Sequence, residues 1–327
     1  MDSHTLFRDL RNDLIAAFLE FIGTIVFLVI GMGGIQAASM SSVTGGAVPV
    51  NPVPSVEHLV YIAASMGLGL LVSAWLFFRV TGGVFNPAVS TALLLVGAIG
   101  PIRFILYCLA QILGAIAASA ILLGLLPGQL NVTPSLGPNV NTAQGVFIEM
   151  FLTSFLVLAV LMLAVEKDRS TAFAPIGIGM TLFACHLFGV VYTGAGMNAA
   201  RVFGPAVVSG FNSDHWVYWL GPFLGSLLAT SLYAFLKHIE YWKLNPGQDV
   251  DDFDQSPPDP VARVWAINWK GLWDSDGSYH ITSELTHGPL ILTQSNMGNG
   301  KRRTPSTLAN SDSSEVVEKH AGRVEEV

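Results

Sequence analysis

The hydrophobic residues of this chain fall in long blocks separated by short polar breaks. Six runs, near residues 14–37, 58–79, 102–125, 143–165, 172–191 and 216–239, are almost free of charge. Each is long enough to cross a hydrocarbon core of about 30 Å at a rise of about 1.5 Å per residue. In lipid such runs must be helical, because no water is present to bond the backbone. Two further apolar stretches, after Asn86 and after Asn198, run for only about ten residues, which suits half a membrane. The pattern predicts an all-α polytopic membrane protein of six transmembrane helices and two re-entrant half-helices.

The two halves of the chain resemble each other. Gly67 and Gly69 in MGLGLL match Gly177 and Gly179 in IGIGMT at an offset of 110. Asn86 in FNPAV matches Asn198 in MNAAR at 112, and Gly114 in QILGAIA matches Gly225 in PFLGSLL at 111. Glu20 in FLEFIGT matches Glu149 in FIEMFLT at a larger offset, the excess being the long loop 38–57. Three spans per half give the copies opposite orientation. Inverted repeats of this kind place a functional site at their interface near the bilayer midplane, often with broken helices.

Charge refines this picture. Only 12% of the 327 residues are charged and 51% are hydrophobic, whereas about a quarter of a soluble domain is charged. Residues 1–243 hold nine Lys/Arg and ten Asp/Glu; residues 244–327 hold seven and thirteen. The net charge of −7 therefore belongs mostly to the tail. The expected organisation is a short N-terminus (1–13), a membrane domain (14–243, with halves of about 14–125 and 143–239) and a polar, largely disordered tail (244–327). Arg8, Arg11, Arg79, Arg103, Lys167, Arg169, Lys237 and Lys243 all fall on one side if the spans alternate. Loops 38–57 and 126–142 contain no Lys or Arg. The positive-inside rule then makes both termini cytoplasmic. The first apolar run is too long for a cleaved signal.

The half-helix starts carry the chemistry. Asn86-Pro87-Ala88 puts Asn at an N-cap and Pro at the first helical position, where its missing N–H costs nothing. Entering from opposite faces, the two half-helices bring their N-termini together at the bilayer centre, each with roughly half a positive charge. The Asn86 and Asn198 amides can then offer N–H donors to a central water, which donates outward and does not relay a proton. Isolated, Asn-Pro-Ala is an ordinary cap before a surface helix. Two copies at matching places in an inverted repeat, each inside apolar sequence, are not. Arg201, directly after the second motif, is an intramembrane charge and so a functional candidate; interfacial snorkelling is the ordinary alternative.

GGVFNPAVS and TGAGMNAARVFGPAV resemble the paired signature loops of the major intrinsic protein family, the aquaporins and aquaglyceroporins. FLEFIGT and HWVYWLGPFLG are similar to its first and sixth spans, so the likeness covers residues 14 to about 240. It implies a six-helix monomer with its own pore, assembled as a homotetramer, passing water and excluding protons and ions. The second motif departs from the family pattern. It reads Asn198-Ala199-Ala200, and Ala199 restores an N–H and loses the fixed φ of Pro, so a slightly less rigid loop with intact conduction is expected.

By spacing from the motifs, the family's four-residue filter falls on Met66, His186, Ala195 and Arg201. A His at 186, Val202 after Arg201 and Tyr218-Trp219 resemble water-type members; glycerol-type members have a small residue at the place of His186 and Asp after the Arg. Met66 stands where water-type members usually have an aromatic. With the small Ala195 it implies a softer, wider constriction through which hydrogen peroxide or another small neutral solute passes beside water. The resemblance gives Glu20 and Glu149 a structural role, accepting hydrogen bonds from the re-entrant backbone; an ion-coupled transporter would use them as carriers.

The remaining features are peripheral. Cys108 and Cys185 lie within apolar runs and predict no disulfide framework. Asn131-Val132-Thr133 is an N-glycosylation sequon in an outer loop. In VARVWAINWKGLW (261–273), Trp265, Trp269 and Trp273 recur every four residues and would share a helix face suited to a membrane surface or the channel mouth, where the tail would tune conduction. KRRTPS makes Thr304 and Ser306 candidate phosphorylation sites, and the long polar tail suggests a fungal member. No nucleophile–base constellation and no metal-ligand cluster is present. Neither catalysis nor a cofactor, metal or nucleic-acid partner is expected; the partners are water, small neutral solutes and the lipid bilayer, with the plasma membrane as location and an internal membrane as the alternative. The nearest alternative is a channel also or mainly for small neutral solutes, hydrogen peroxide or glycerol; a junctional scaffold with little flux is the reading from another class.

Overall fold

The computed structural model describes residues 9–43 and 55–248. The chain divides into two units, 1–256 and 257–327, and every described residue lies in the first. Arg8, the Trp segment 261–273, Thr304 and Ser306 lie outside the described residues.

The six long helices are α1 (Leu10–Val43), α2 (Val56–Phe77), α4 (Pro101–Leu125), α5 (Thr142–Val160), α6 (Ala174–Thr193) and α8 (Val217–His238). The short ones are α3 (Pro87–Leu95) and α7 (Ala199–Ser209). No strand occurs among the described residues. All six long helices are apolar enough to cross a membrane, α5 counted with the wide turn at its C-terminal end and α6 with the 3₁₀ turn that precedes it. Local signals set their ends. Ser55 caps α2, its hydroxyl accepting from His58 N at 3.2 Å. Asn141 and Gln144 form a capping box on α5, with both hydrogen bonds 2.9 Å. Pro opens α3 and α4, and Gly194 in a left-handed conformation closes α6.

Two elements differ from the hydropathy reading. Helix α1 extends beyond 14–37 at both ends, and polar side chains near each end are bonded. Asp13 meets Arg103 at 2.7 Å, and Gln36 donates to Gln129 O at 2.9 Å while accepting from Asn131 N at 2.7 Å. The fourth span does not stay α-helical to residue 165: Leu161–Val165 form a π turn, closed by Glu166 N donating to Leu161 O at 2.9 Å. The wider turn rotates the chain beyond it, and Glu166 reaches α8. It accepts from the Tyr233 hydroxyl and pairs with Lys237 at 2.9 Å. Partial burial works against its charge, yet the Tyr233 hydroxyl and the Lys237 ammonium hold the Glu166 carboxyl below its ordinary value.

Packing follows the internal repeat. Helix α1 lies along α4 as α5 lies along α8, and α1 along α2 as α5 along α6. Each half-helix packs on the opposite half, α7 on α4 and α3 on α8, while α2 and α6 face each other at the centre. Lipid gives helices no hydrophobic reason to associate, so small residues that allow close approach supply the contact. A Cβ on Gly179 would lie 2.7 Å from Leu71 Cα and 2.8 Å from Gly67 O. On the flanks, a Cβ on Gly114 would stand 2.9 Å from Phe21 O and from Thr24 Cβ, and one on Gly225 would stand 2.9 Å from Thr153 Cβ. The outward faces carry large apolar side chains such as Leu68, Trp75, Leu113 and Phe155, whereas Glu20, Gln111, Glu149 and Arg201 are buried. Because backbone faces backbone at the α2–α6 seam, Gly179→Val is expected to lower stability by about 1–3 kcal/mol, read as a lower thermal midpoint in detergent. An unchanged midpoint would mean that the seam has slack.

Candidate functional site at the half-helix junction

Each half-helix is preceded by a sharp turn through a residue that is not glycine. Phe85 has φ 50° and Met197 φ 52°, a left-handed conformation that costs about 1–3 kcal/mol at such residues. The next residues, Asn86 and Asn198, are extended N-caps with nearly the same dihedrals (φ −149°, ψ 120° and φ −156°, ψ 110°). Asn86 Oδ1 accepts from Ala88 N at 2.9 Å; Asn198 Oδ1 accepts from Ala200 N at 3.0 Å and Arg201 N at 3.2 Å. Ala199 thus occupies the place of Pro87 with little change in the cap.

The amide nitrogens join the two turns reciprocally. Asn86 Nδ2 donates to Met197 O at 2.9 Å, and Asn198 Nδ2 donates to Phe85 O at 2.8 Å. Each Nδ2 carries two hydrogens, so one N–H per Asn remains beyond the cross-link.

Two buried acids hold the strained residues. Glu20 Oε1 accepts from Phe85 N at 2.5 Å and from Gln111 Nε2 at 3.0 Å. Glu149 Oε2 accepts from Met197 N at 2.6 Å, while Oε1 accepts from Gly196 N at 2.9 Å and the Thr193 hydroxyl at 2.6 Å. Gln111 also donates to Ser90 in α3 at 3.0 Å, and the Ser226 hydroxyl of α8 donates to Ala88 O at 2.8 Å. Phe85, Met197, Gln111 and Thr193 are not among the residues expected from sequence. A polar Gln in the middle of the third apolar run is the available signal for Gln111; the rest carry none.

A narrow cavity runs past the junction, with Phe27, Met66, Leu70, Asn86, Asn198 and Arg201 in its wall. Arg201 is 2% exposed. Its Nη1 donates to Val132 O at 3.2 Å, and its Nε has no protein partner among the described residues. His186 is fully buried. Its Nδ1 stands 2.9 Å from Leu182 O. A carbonyl only accepts, so Nδ1 carries the hydrogen and Nε2 is left as an acceptor without a protein partner among the described residues. Ala195 is buried at φ 49°, with its methyl against Gly189 of α6. Met66 lies on the bare backbone of Gly31. The structure therefore brings Met66 and Arg201 to one cavity, whose wall includes neither His186 nor Ala195.

At its other end this cavity shares Gly83, Val84, Val89, Val160 and Ile178 with a wider mouth that also holds Arg103 and Lys167. Asn131 is exposed, although Val132 beside it is buried. Cys185 Sγ contacts Leu152 O at 3.7 Å and lines a groove with Phe155, Met180 and Phe188, away from the Asn pair. Cys108 is partly buried and forms no disulfide. No cluster of metal-ligating side chains occurs among the described residues.

Comparison with known proteins places this geometry. The family described as Major intrinsic protein matches residues 9–233. An aquaporin of Laccaria bicolor is 59% identical over 259 residues, covering 79% of this chain and 82% of the relative. Aquaporin-1 of Gibberella zeae is 50% identical over 248 residues, covering 76% and 77%. The X-ray structure of the aquaglyceroporin from Plasmodium falciparum superposes with a TM-score of 0.58 at 20% identity, covering 70% of this chain and 99% of that one; it is similar in fold.

The Glu149 contacts generate a direct test. Glu149→Leu leaves the Gly196 and Met197 N–H groups buried without acceptors, at about 1–3 kcal/mol each, and the Thr193 hydroxyl with only its longer bond to Gly189 O at 3.4 Å. The expected result is a large fall in folded protein and in thermal midpoint, with Glu149→Gln, which keeps one acceptor oxygen, in between. Wild-type stability of Glu149→Leu would contradict this role for the acid.

Proposed function

Because the chain belongs to the major intrinsic protein family, we propose that it works as a passive water channel that excludes protons and ions. The observation that carries this reading is the reciprocal Asn86–Asn198 junction set in a narrow, largely apolar lumen. A water there meets two remaining amide N–H donors and the positive ends of two half-helices. It accepts from both and donates away from the centre, so the hydrogen-bonded file reverses and a proton is not handed on. Cations meet the same positive potential. Arg201 adds a fixed charge, a device general to pores of this family. Its Nε donor and the His186 Nε2 acceptor, both without protein partners among the described residues, replace part of the hydration that a water loses on entering.

The reading extends to a homotetramer in the plasma membrane with cytoplasmic termini. The one-sided distribution of basic residues and the apolar outward faces support the membrane placement, and the family supports the assembly. In this reading Met66, His186, Ala195 and Arg201 form the filter, and Glu20 and Glu149 brace the two turns.

A second reading adds small neutral solutes such as hydrogen peroxide. It is favoured by Met66, an adaptable unbranched side chain seated back on Gly31. Glycerol is disfavoured by His186 and by Val202 directly after Arg201.

Purified full-length protein in liposomes should speed osmotic shrinkage at least several-fold over empty vesicles, with proton leak unchanged and glycerol entry slow. Shrinkage no faster than that of empty vesicles would favour a scaffold. Flux that depends on an ion gradient would favour a coupled transporter.

A further inference from the structure

Met66 belongs to α2, yet the position of its side chain is decided by α1. A Cβ on Gly31 would have three nearest neighbours, all atoms of Met66: Sδ at 2.7 Å, Cε at 3.6 Å and Cα at 3.7 Å. Gly31 lies one turn from Phe27 on the same face of α1, and Phe27 already belongs to the lumen wall. Position 31 is the next position on that face; the Met66 side chain covers it, and it is bare because it is glycine.

The surrounding backbone cannot absorb a side chain there. A Cβ on Gly69 would stand 3.2 Å from Gly31 N, so α1 and α2 are already in close contact at this level. On its other side α2 is fixed by Gly67, whose Cβ would stand 2.8 Å from Phe183 Cα and 2.9 Å from Phe183 N in α6. With α2 clamped between α1 and α6, the Met66 side chain must yield. The open space beside it is the cavity that it shares with Arg201.

We infer that Gly31 is a specificity-determining residue of the lumen: by leaving α1 bare it lets the Met66 thioether retract from Arg201, and so sets the passage for neutral solutes larger than water. This rests on the channel reading of the lumen. The occupant class is small, uncharged and polar, with hydrogen peroxide as the probe. Gly31 acts through Met66, so a methyl group added at 31 narrows the passage and removal of the Met66 side chain cancels the effect.

The test uses full-length protein in liposomes, with water and peroxide permeability measured on the same preparation. Gly31→Ala should lower the peroxide-to-water ratio by at least about threefold, and Gly31→Ala/Met66→Ala should return it to the value of Met66→Ala alone. A second readout does not depend on flux: sulfoxide formed at Met66 by added peroxide, measured by mass spectrometry, should rise several-fold in Gly31→Ala as the sulfur moves into the lumen. An unchanged ratio, or a double variant that stays as low as Gly31→Ala, overturns the inference. If the wild type conducts neither solute, the channel reading falls and the sulfur measurement alone decides; unchanged Met66 oxidation then overturns the role of Gly31.

Discussion

The structure depends on one pair of hydrogen bonds, from Asn86 Nδ2 to Met197 O and from Asn198 Nδ2 to Phe85 O. Neither half-helix spans the bilayer, so each must end inside it with unsatisfied N–H groups. The Asn oxygens accept from the first turns of their own helices, and the Asn nitrogens tie each turn to the other. Amides suit this because they donate and accept at once; Asp offers only acceptors, and Ser one donor. The same geometry brings two positive helix ends together, a costly arrangement that persists only because buried groups enforce it.

The enforcement is symmetric in plan and asymmetric in detail. Glu20 and Glu149 each take the N–H of the left-handed residue before the Asn. Around Glu20 a further donor is Gln111 from α4; around Glu149 the further donors are Gly196 N and the hydroxyl of Thr193 at the end of α6, whose carbonyl accepts from Tyr218 at 2.6 Å. The third residue after each Asn differs: Arg201 follows the second Asn, and Val89 the first. A two-fold scaffold therefore carries a buried charge on one side, with Arg201 held by Val132 O in the α4–α5 loop.

Much of this was legible in the sequence because membrane constraints are blunt. A run of twenty apolar residues has few folds open to it, and all six spans appear within a few residues of their hydropathy limits. The repeated glycines were visible as spacing, and their pairing, Gly114 on α1 and Gly225 on α5, follows from the inverted repeat. Features that were not legible depend on contacts between residues far apart in sequence. The cross-links between Asn86 and Met197 and between Asn198 and Phe85 join carbonyls, which every residue has. The π turn at Leu161–Val165 reads as uninterrupted apolar helix. Gly31 sits in GMGG, where any of three glycines could serve packing, and only the position of the Met66 sulfur distinguishes it.

The central claim is that donor amides at the junction, and the positive potential behind them, separate water from ions. Asn86→Asp and Asn198→Asp test it most directly. Each replaces a donor nitrogen with an oxygen facing a carbonyl and places negative charge between the two helix ends. Ionic current under voltage clamp should be measured beside water permeability in the same membranes. The expected result is water without current for the wild type, and a cation current in each variant that reaches the membrane. Variants that carry water at the wild-type rate with no current would contradict the claim.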